Sequence, residues 1–236
     1  MLEITEKQLE IFRQIKKAYI DKSKFPEKGN WEHLSNNDIW LHIFTQVMVV
    51  GRSTPYQKLS TNPMLKNEIS YENLSRVMDQ TDLEKKINHV LLAVGTRYAS
   101  SDISKCLKTK ALVYNFKALH SAYGDPQSFL KKIMELGDDQ QRISFVIKSF
   151  MFIKNKGARD LLMELGIVED SIAIDVRVQN VLKRFGIEVP QGFQNNPKLY
   201  GEIESGIIEK ICKPLGLRGV ELDRLIYQNY DAIMKQ

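Results

Sequence analysis

Lys156 and Asp175 are two side chains whose types and spacing could do chemistry together. They lie nineteen positions apart, each where a helix would begin. The first helix would follow a basic corner, Lys154-Asn155-Lys156-Gly157, and run to Gly166. The second would open within Ala173-Ile174-Asp175-Val176-Arg177-Val178 and end at Gly186. The loop between them is short enough to bring both helix starts into one cleft. A lysine amine is a nucleophile, and with a carbonyl carbon it gives a Schiff base. It attacks only when neutral. The positive end of a helix dipole, with Lys154 and Arg159 nearby, is expected to lower the pKa of Lys156. Asp175 at its own helix N-terminus would stay ionised, and could stabilise a developing positive charge or orient the amine. A plainer reading exists for each residue: aspartate is a favoured N-cap, and lysine is usually solvated.

The elements that must position this pair read as helices throughout. Thr5-x-x-Gln8 is a capping box ahead of Leu9, Phe12, Ile15 and Tyr19 at helical spacing. Ser35-x-x-Asp38 opens a second helix from Ile39 to Val50, apolar on nearly all sides and therefore central. Gln46 sits inside it, near the turn Gly51-Arg52-Ser53. Residues 54–66, with Pro55 and Pro63, read as a loop. Ser70 caps a helix carrying Leu74, Val77 and Met78, and Thr81-x-x-Glu84 reads as another capping box, for a helix ending at Gly95. Lys105, Lys108, Lys110 and Lys117 then fall on the solvated face of an amphipathic helix. Asp125-Pro126 starts one more and Asp138 or Asp139 the next, Pro197 another, and Glu221 the last. No run alternates as a strand would, so the pattern is all-α, with about ten or eleven helices.

Composition narrows the class. Of 236 residues, 43% are hydrophobic and 27% charged, as in a soluble globular protein. No run of eighteen apolar residues suggests a membrane span, and the N-terminus lacks the pattern of a signal peptide. Thirty-four basic against 29 acidic residues give a net charge of +5, which permits nucleic-acid binding without demanding it. Cys106 and Cys212 read as reduced thiols of a cytoplasmic protein, and the four histidines show no ligand spacing with cysteines or acids, so no metal and no cofactor is expected.

The stretch from Ser144 to Gly186 resembles the catalytic core of the helix-hairpin-helix DNA glycosylases, most of all the 8-oxoguanine DNA glycosylase/lyases. Their pattern K-x-A-x-x-x-L-x-x-x-G is met by Lys156, Ala158, Leu162 and Gly166, followed by Asp175 and a basic residue, Arg177. Where that family reads G-x-G before the lysine, this chain has Phe152-Ile153-Lys154-Asn155, of which Asn155 is the candidate for a left-handed conformation. Gly95-Thr96-Arg97-Tyr98 is similar to a G-x-R-aromatic turn of the 8-oxoguanine branch, and the stretch from Glu221 to Tyr227 to its C-terminal helix.

The resemblance implies a two-lobed all-helical helix-hairpin-helix DNA glycosylase fold with a cleft between the lobes. It places residues 67–186 in a central lobe and residues 1–66 with 187–236 in a second. It implies Lys156 as nucleophile at the sugar C1′ and Asp175 as stabiliser of the oxocarbenium-like centre. Gln46, Arg97, Lys154, Asn155, Gly157, Arg159 and Arg177 would meet DNA, with Gln46 entering the base stack. Phe152 and Tyr227 would line the pocket of the extruded base, which enzymes of this kind must flip out of the duplex. The implied partner is double-stranded DNA with a damaged base, bound by a monomer and without a membrane. Three alternatives remain at this point. One is a monofunctional glycosylase for alkylated purines, in which Asp175 acts with water. Another is a non-catalytic DNA-binding helical module. The last is a helical protein unrelated to DNA, which the modest net charge allows.

Overall fold

The structure, a computed structural model, describes residues 2–49, 51 and 53–235. Val50, the expected end of the second helix, and Arg52 in the turn after it lie outside the described residues. Among the described residues every regular element is helical and none is a strand. No helix is long and apolar enough to cross a membrane among them.

The chain begins with α1 (Glu6–Tyr19), where Thr5 and Gln8 form the expected reciprocal cap. The next eight α-helices are α2 (Asn36–Met48), α3 (Thr54–Ser60), α4 (Pro63–Glu68), α5 (Tyr71–Ser75), α6 (Gln80–Ala93), α7 (Leu107–Lys117), α8 (Pro126–Met134) and α9 (Asp139–Ser149). They are followed by α10 (Asn155–Glu164), α11 (Val176–Arg184), α12 (Pro197–Ile207) and α13 (Gly219–Ile233). Two expectations change in the middle of the chain. The proline-bearing stretch read as a loop contains α3 and α4, because Pro55 and Pro63 sit in their first turns, where no N–H is needed. The cap of α6 is Asp79, which accepts from the Asp82 N–H, and not Thr81.

Two compact units result, Met1–Asn30 with Asn155–Gln236, and Trp31–Lys154. The boundaries thus fall after residues 30 and 154, and not after 66 and 186 as the resemblance suggested. Packing explains the shift. In the Trp31–Lys154 unit the buried apolar residues of α2 pack on α5, α7 and α8, with Trp40 edge-on to Phe116 at 5.5 Å. In the other unit Phe12 and Ile15 of α1 share one core with Val178, Val181 and Leu182 of α11 and Leu222, Leu225 and Ile226 of α13. Each such aliphatic or aromatic side chain contributes about 1.5–3 kcal/mol on burial, so the helices follow their apolar faces.

Lys108 departs from the solvated face expected for α7. It is buried, and its Nζ donates to the Met48 carbonyl at 2.9 Å, at the C-terminal end of α2. A cation there complements the negative end of the helix dipole. Burial still lowers the amine to a pKa of about 8.

Candidate active site

The geometry of α10 is fixed at both ends. At its start the Asn155 side chain is buried and donates to the Gln194 carbonyl at 2.9 Å. At its end Gly166 has φ +68, and its carbonyl accepts from the Gly29 N–H at 2.9 Å. A Cβ on Gly166 would lie 2.0 Å from the Glu27 carbonyl oxygen, so only glycine allows the 27–30 segment to come this close. Lys156 is on the first turn of α10 and half-exposed.

The segment after Gly166 carries no helix or strand, yet it is held at nearly every residue. The Val220 N–H donates to the Glu169 carbonyl at 2.9 Å. Glu204 accepts from the Ser171 hydroxyl at 2.6 Å and from the Ile172 N–H at 3.0 Å. The Ala173 N–H donates to Asp223 at 2.9 Å, and the Ile174 N–H to the Tyr200 hydroxyl at 2.7 Å. Backbone groups in a buried loop must be satisfied, and here side chains of α12 and α13 do it. The loop delivers Asp175 as the N-cap of α11, with one carboxylate oxygen accepting from the N–H groups of Arg177 at 2.8 Å and Val178 at 3.0 Å.

Lys156 faces three carboxylates in the same unit. Its Nζ lies 2.9 Å from Asp160, one turn on along α10. Burial disfavours the ammonium, but Asp160, then Asp175 and Asp223, outweigh it and hold Lys156 above the ordinary lysine value. The expected lowering is therefore reversed. The dipole and the neighbouring cations count for less than an acid in direct contact. One of those cations, Arg159, is in any case already neutralised by an acid of its own.

Arg224 organises the acids. It is nearly buried and donates to Asp160 and to Glu164, each at 2.8 Å, with Asp223 3.3 Å away. Burial pushes the Asp223 carboxyl up to about 7 against the pull of Arg224.

Of the residues in this unit that the resemblance set against DNA, two have buried side chains. Arg159 is 1% exposed and forms a buried ion pair with Glu204 at 2.7 Å, its guanidinium 4.1 Å from the Tyr200 ring. Its side chain does not reach solvent, and neither does that of Asn155, which is 5% exposed. Both residues tie α10 to the rest of its unit, Asn155 through the Gln194 carbonyl and Arg159 through Glu204. Gly157 lies half-buried in the first turn of α10. Arg177 stacks on Tyr227 at 4.3 Å and reaches Tyr230 at 5.9 Å, beside a surface recess these residues line with Asn229. Tyr227 is 45% exposed even with Arg177 over its ring.

In the Trp31–Lys154 unit, Gln46 is half-buried in the last turns of α2. Arg97 is exposed, lies 4.8 Å over the Tyr98 ring, and approaches Gly51, just past the end of α2. Lys154 is exposed. Phe152 is not core: it is 45% exposed and adopts φ +66. The left-handed position in the hairpin is therefore Phe152, whereas Asn155 is helical. Asn115 of α7 pins this conformation by donating to the Met151 carbonyl at 3.1 Å and accepting from the Met151 N–H at 2.7 Å.

Sequence reading did not single out Asp160, Glu204, Tyr200 or Arg224. Only Asp160 carried a usable signal, its i, i+4 spacing from Lys156. Among the described residues no group of three or more His, Cys, Asp or Glu could hold a metal ion.

The fold is shared with three solved structures over nearly its whole length. The chain is similar to the crystal structure of the 8-oxoguanine DNA glycosylase of Thermotoga maritima, with TM-score 0.62, 22% identity, and coverage of 94% of this chain and 93% of that one. It is similar to the 8-oxoguanine DNA glycosylase of Methanocaldococcus jannaschii, with TM-score 0.62, 18% identity, and coverage of 93% and 91%. It is also similar to the 8-oxoguanine glycosylase/lyase of that organism in complex with a 15mer DNA containing 8-oxoguanine, with TM-score 0.61, 17% identity, and coverage of 95% and 97%. No protein-family model and no curated protein matches the chain.

Proposed function

We propose that this protein is a base-excision DNA glycosylase that removes 8-oxoguanine from double-stranded DNA and, as an AP lyase, then cleaves the strand. The observation that carries the reading is the pairing of Lys156 and Asp175 within one unit. They sit at the starts of α10 and α11, joined by a loop fixed at nearly every residue, in the fold of 8-oxoguanine glycosylases.

In this reading the neutral Lys156 amine attacks C1′ of the damaged nucleotide. The C1′–N bond breaks, and the base leaves with the bonding electrons and takes up a proton. Asp175 lowers the cost of positive charge on the sugar as the bond opens. The amine adduct loses a proton, the ring opens, and a Schiff base forms. That iminium acidifies C2′–H, and loss of this proton expels the 3′-phosphate by β-elimination. Arg177 would neutralise a backbone phosphate, and Tyr227 would stack on the extruded base. The test is release of free 8-oxoguanine from a duplex carrying it opposite cytosine. Asp175→Asn should slow release on the order of 10²–10³-fold, typical for loss of a preorganised electrostatic group.

One observation favours a second reading, a monofunctional glycosylase in which Asp175 acts with water. Lys156 is ion-paired to Asp160, and a charged amine is no nucleophile. Base release without strand cleavage would support it.

A further inference from the structure

We propose that Asp160, anchored by Arg224, is a positioning residue for Lys156: an ion-pair latch that fixes where the amine points and keeps it an ammonium in the DNA-free protein. This rests on the reading of Lys156 as the nucleophile, and it concerns a residue outside the lysine–aspartate pair itself.

An i, i+4 ion pair on a helix surface is ordinarily loose and screened by solvent. Here the Lys156 side chain is 41% exposed, but the acid that receives it is not free to swing. The Asp160 side chain is 16% exposed and that of Arg224 8%. Arg224 takes one carboxylate oxygen of Asp160 at 2.8 Å, and Lys156 takes the other at 2.9 Å. Arg224 is itself held by Glu164 at 2.8 Å and by Asp223 at 3.3 Å. The carboxylate plane is therefore set from α13, and the direction of the Lys156 amine follows from it.

The charges facing the amine come from three elements. Asp160 is on α10 itself, Asp175 caps α11, and Asp223 projects from α13. Arg224, the cation that faces Asp160 from α13, is closed into pairs with Asp160, Glu164 and Asp223. Among the acids around Lys156, the structure gives a direct hydrogen bond to Asp160. Activation then has a defined local route. The Nζ–H bond breaks as an Asp160 O–H bond forms, the ion pair becomes a neutral pair, and the lone pair is free to attack. No further reactant is needed.

The test reads the amine without DNA. Lys156 is labelled with pyridoxal phosphate and borohydride across pH 6–11, and its occupancy is followed by peptide mass spectrometry, beside a reference peptide containing an unstructured lysine. Wild type should label later in pH than the reference. Asp160→Asn should move the midpoint down by one unit or more, about tenfold in labelling at a fixed pH below it. Asp160→Glu should restore the wild-type midpoint, which a purely structural role of the residue would not require. If Asp160→Asn fails to fold, the wild-type curve still decides: Lys156 labelling earlier than the reference overturns the latch. So does an unchanged midpoint in a folded Asp160→Asn. In parallel, each protein is incubated with duplex containing an abasic site and trapped with borohydride. Shifted labelling with no DNA adduct in any protein would keep the latch and remove the lyase reading.

Discussion

Glu204→Ala should be among the most damaging single changes in the unit that carries Lys156 and Asp175. Glu204 is 1% exposed and accepts from four groups: Arg159 Nε at 2.9 Å, Arg159 Nη2 at 2.7 Å, the Ser171 hydroxyl at 2.6 Å and the Ile172 N–H at 3.0 Å. Alanine leaves a buried guanidinium with its ring contact to Tyr200 and a bond from Nη1 to the Asn155 carbonyl at 3.1 Å, but with no counter-charge. Breaking a buried pair in this way costs about 3–5 kcal/mol. The orphaned Ser171 and Ile172 donors add about 1 kcal/mol or more each. A loss of about 5–7 kcal/mol is expected, or a fall in Tm on the order of 10–30 °C at this chain length. Urea denaturation followed by circular dichroism measures it. The double variant Arg159→Met/Glu204→Leu should recover much of the loss, because a well-packed apolar pair avoids the desolvation of both charges. A loss under about 1 kcal/mol for Glu204→Ala, or purely additive losses in the double variant, would refute the reasoning.

Three further outcomes follow from named geometry. Gly166→Ala should cost about 3 kcal/mol in urea denaturation, because its Cβ would meet the Glu27 carbonyl at 2.0 Å and its φ is +68. Phe152→Gly should be about 1 kcal/mol more stable than Phe152→Ala, the reverse of the usual order, because Phe152 has φ +66. Asp223 binds a proton more tightly folded, near pH 7, than at its ordinary value of 3.8. Its contribution to stability is complete below pH 3.8 and is lost as pH rises through about 7. Asp223→Asn should therefore flatten the decline in urea stability between pH 4 and 7, removing a slope of up to about 1.4 kcal/mol per pH unit.

Local signals were legible in the sequence because their causes are local. The caps at Thr5, Ser35 and Asp125 depend on side chains a few residues away, and the structure has each of them; of the two candidates Asp138 and Asp139, Asp138 is the cap. Asp175 as the N-cap of α11 belongs with these. The supports of the Asp175 loop were not legible. Tyr200, Glu204 and Asp223 lie 26 to 50 positions from their backbone partners, and nothing in one sequence links them. Arg159 illustrates the difficulty. The resemblance implies a DNA contact for it, whereas its helical phase turns it to the core, where Glu204 receives it. Lys108 was misjudged for the same reason, since a lone buried lysine is rare and the acceptor at Met48 is sixty positions away. The hairpin shows a different limit. Phe152 is a poor choice for a left-handed residue on propensity, and only the clamp from Asn115 makes it one.

The central claim is that Lys156 forms a covalent intermediate with DNA, and borohydride trapping tests it most directly. The protein is incubated with a duplex containing 8-oxoguanine opposite cytosine, reduced, and resolved from free DNA. The account predicts an adduct in wild type, linked through Lys156 in the trapped peptide, and none in Lys156→Gln. An adduct that persists in Lys156→Gln, or base release in wild type with no adduct, would contradict it.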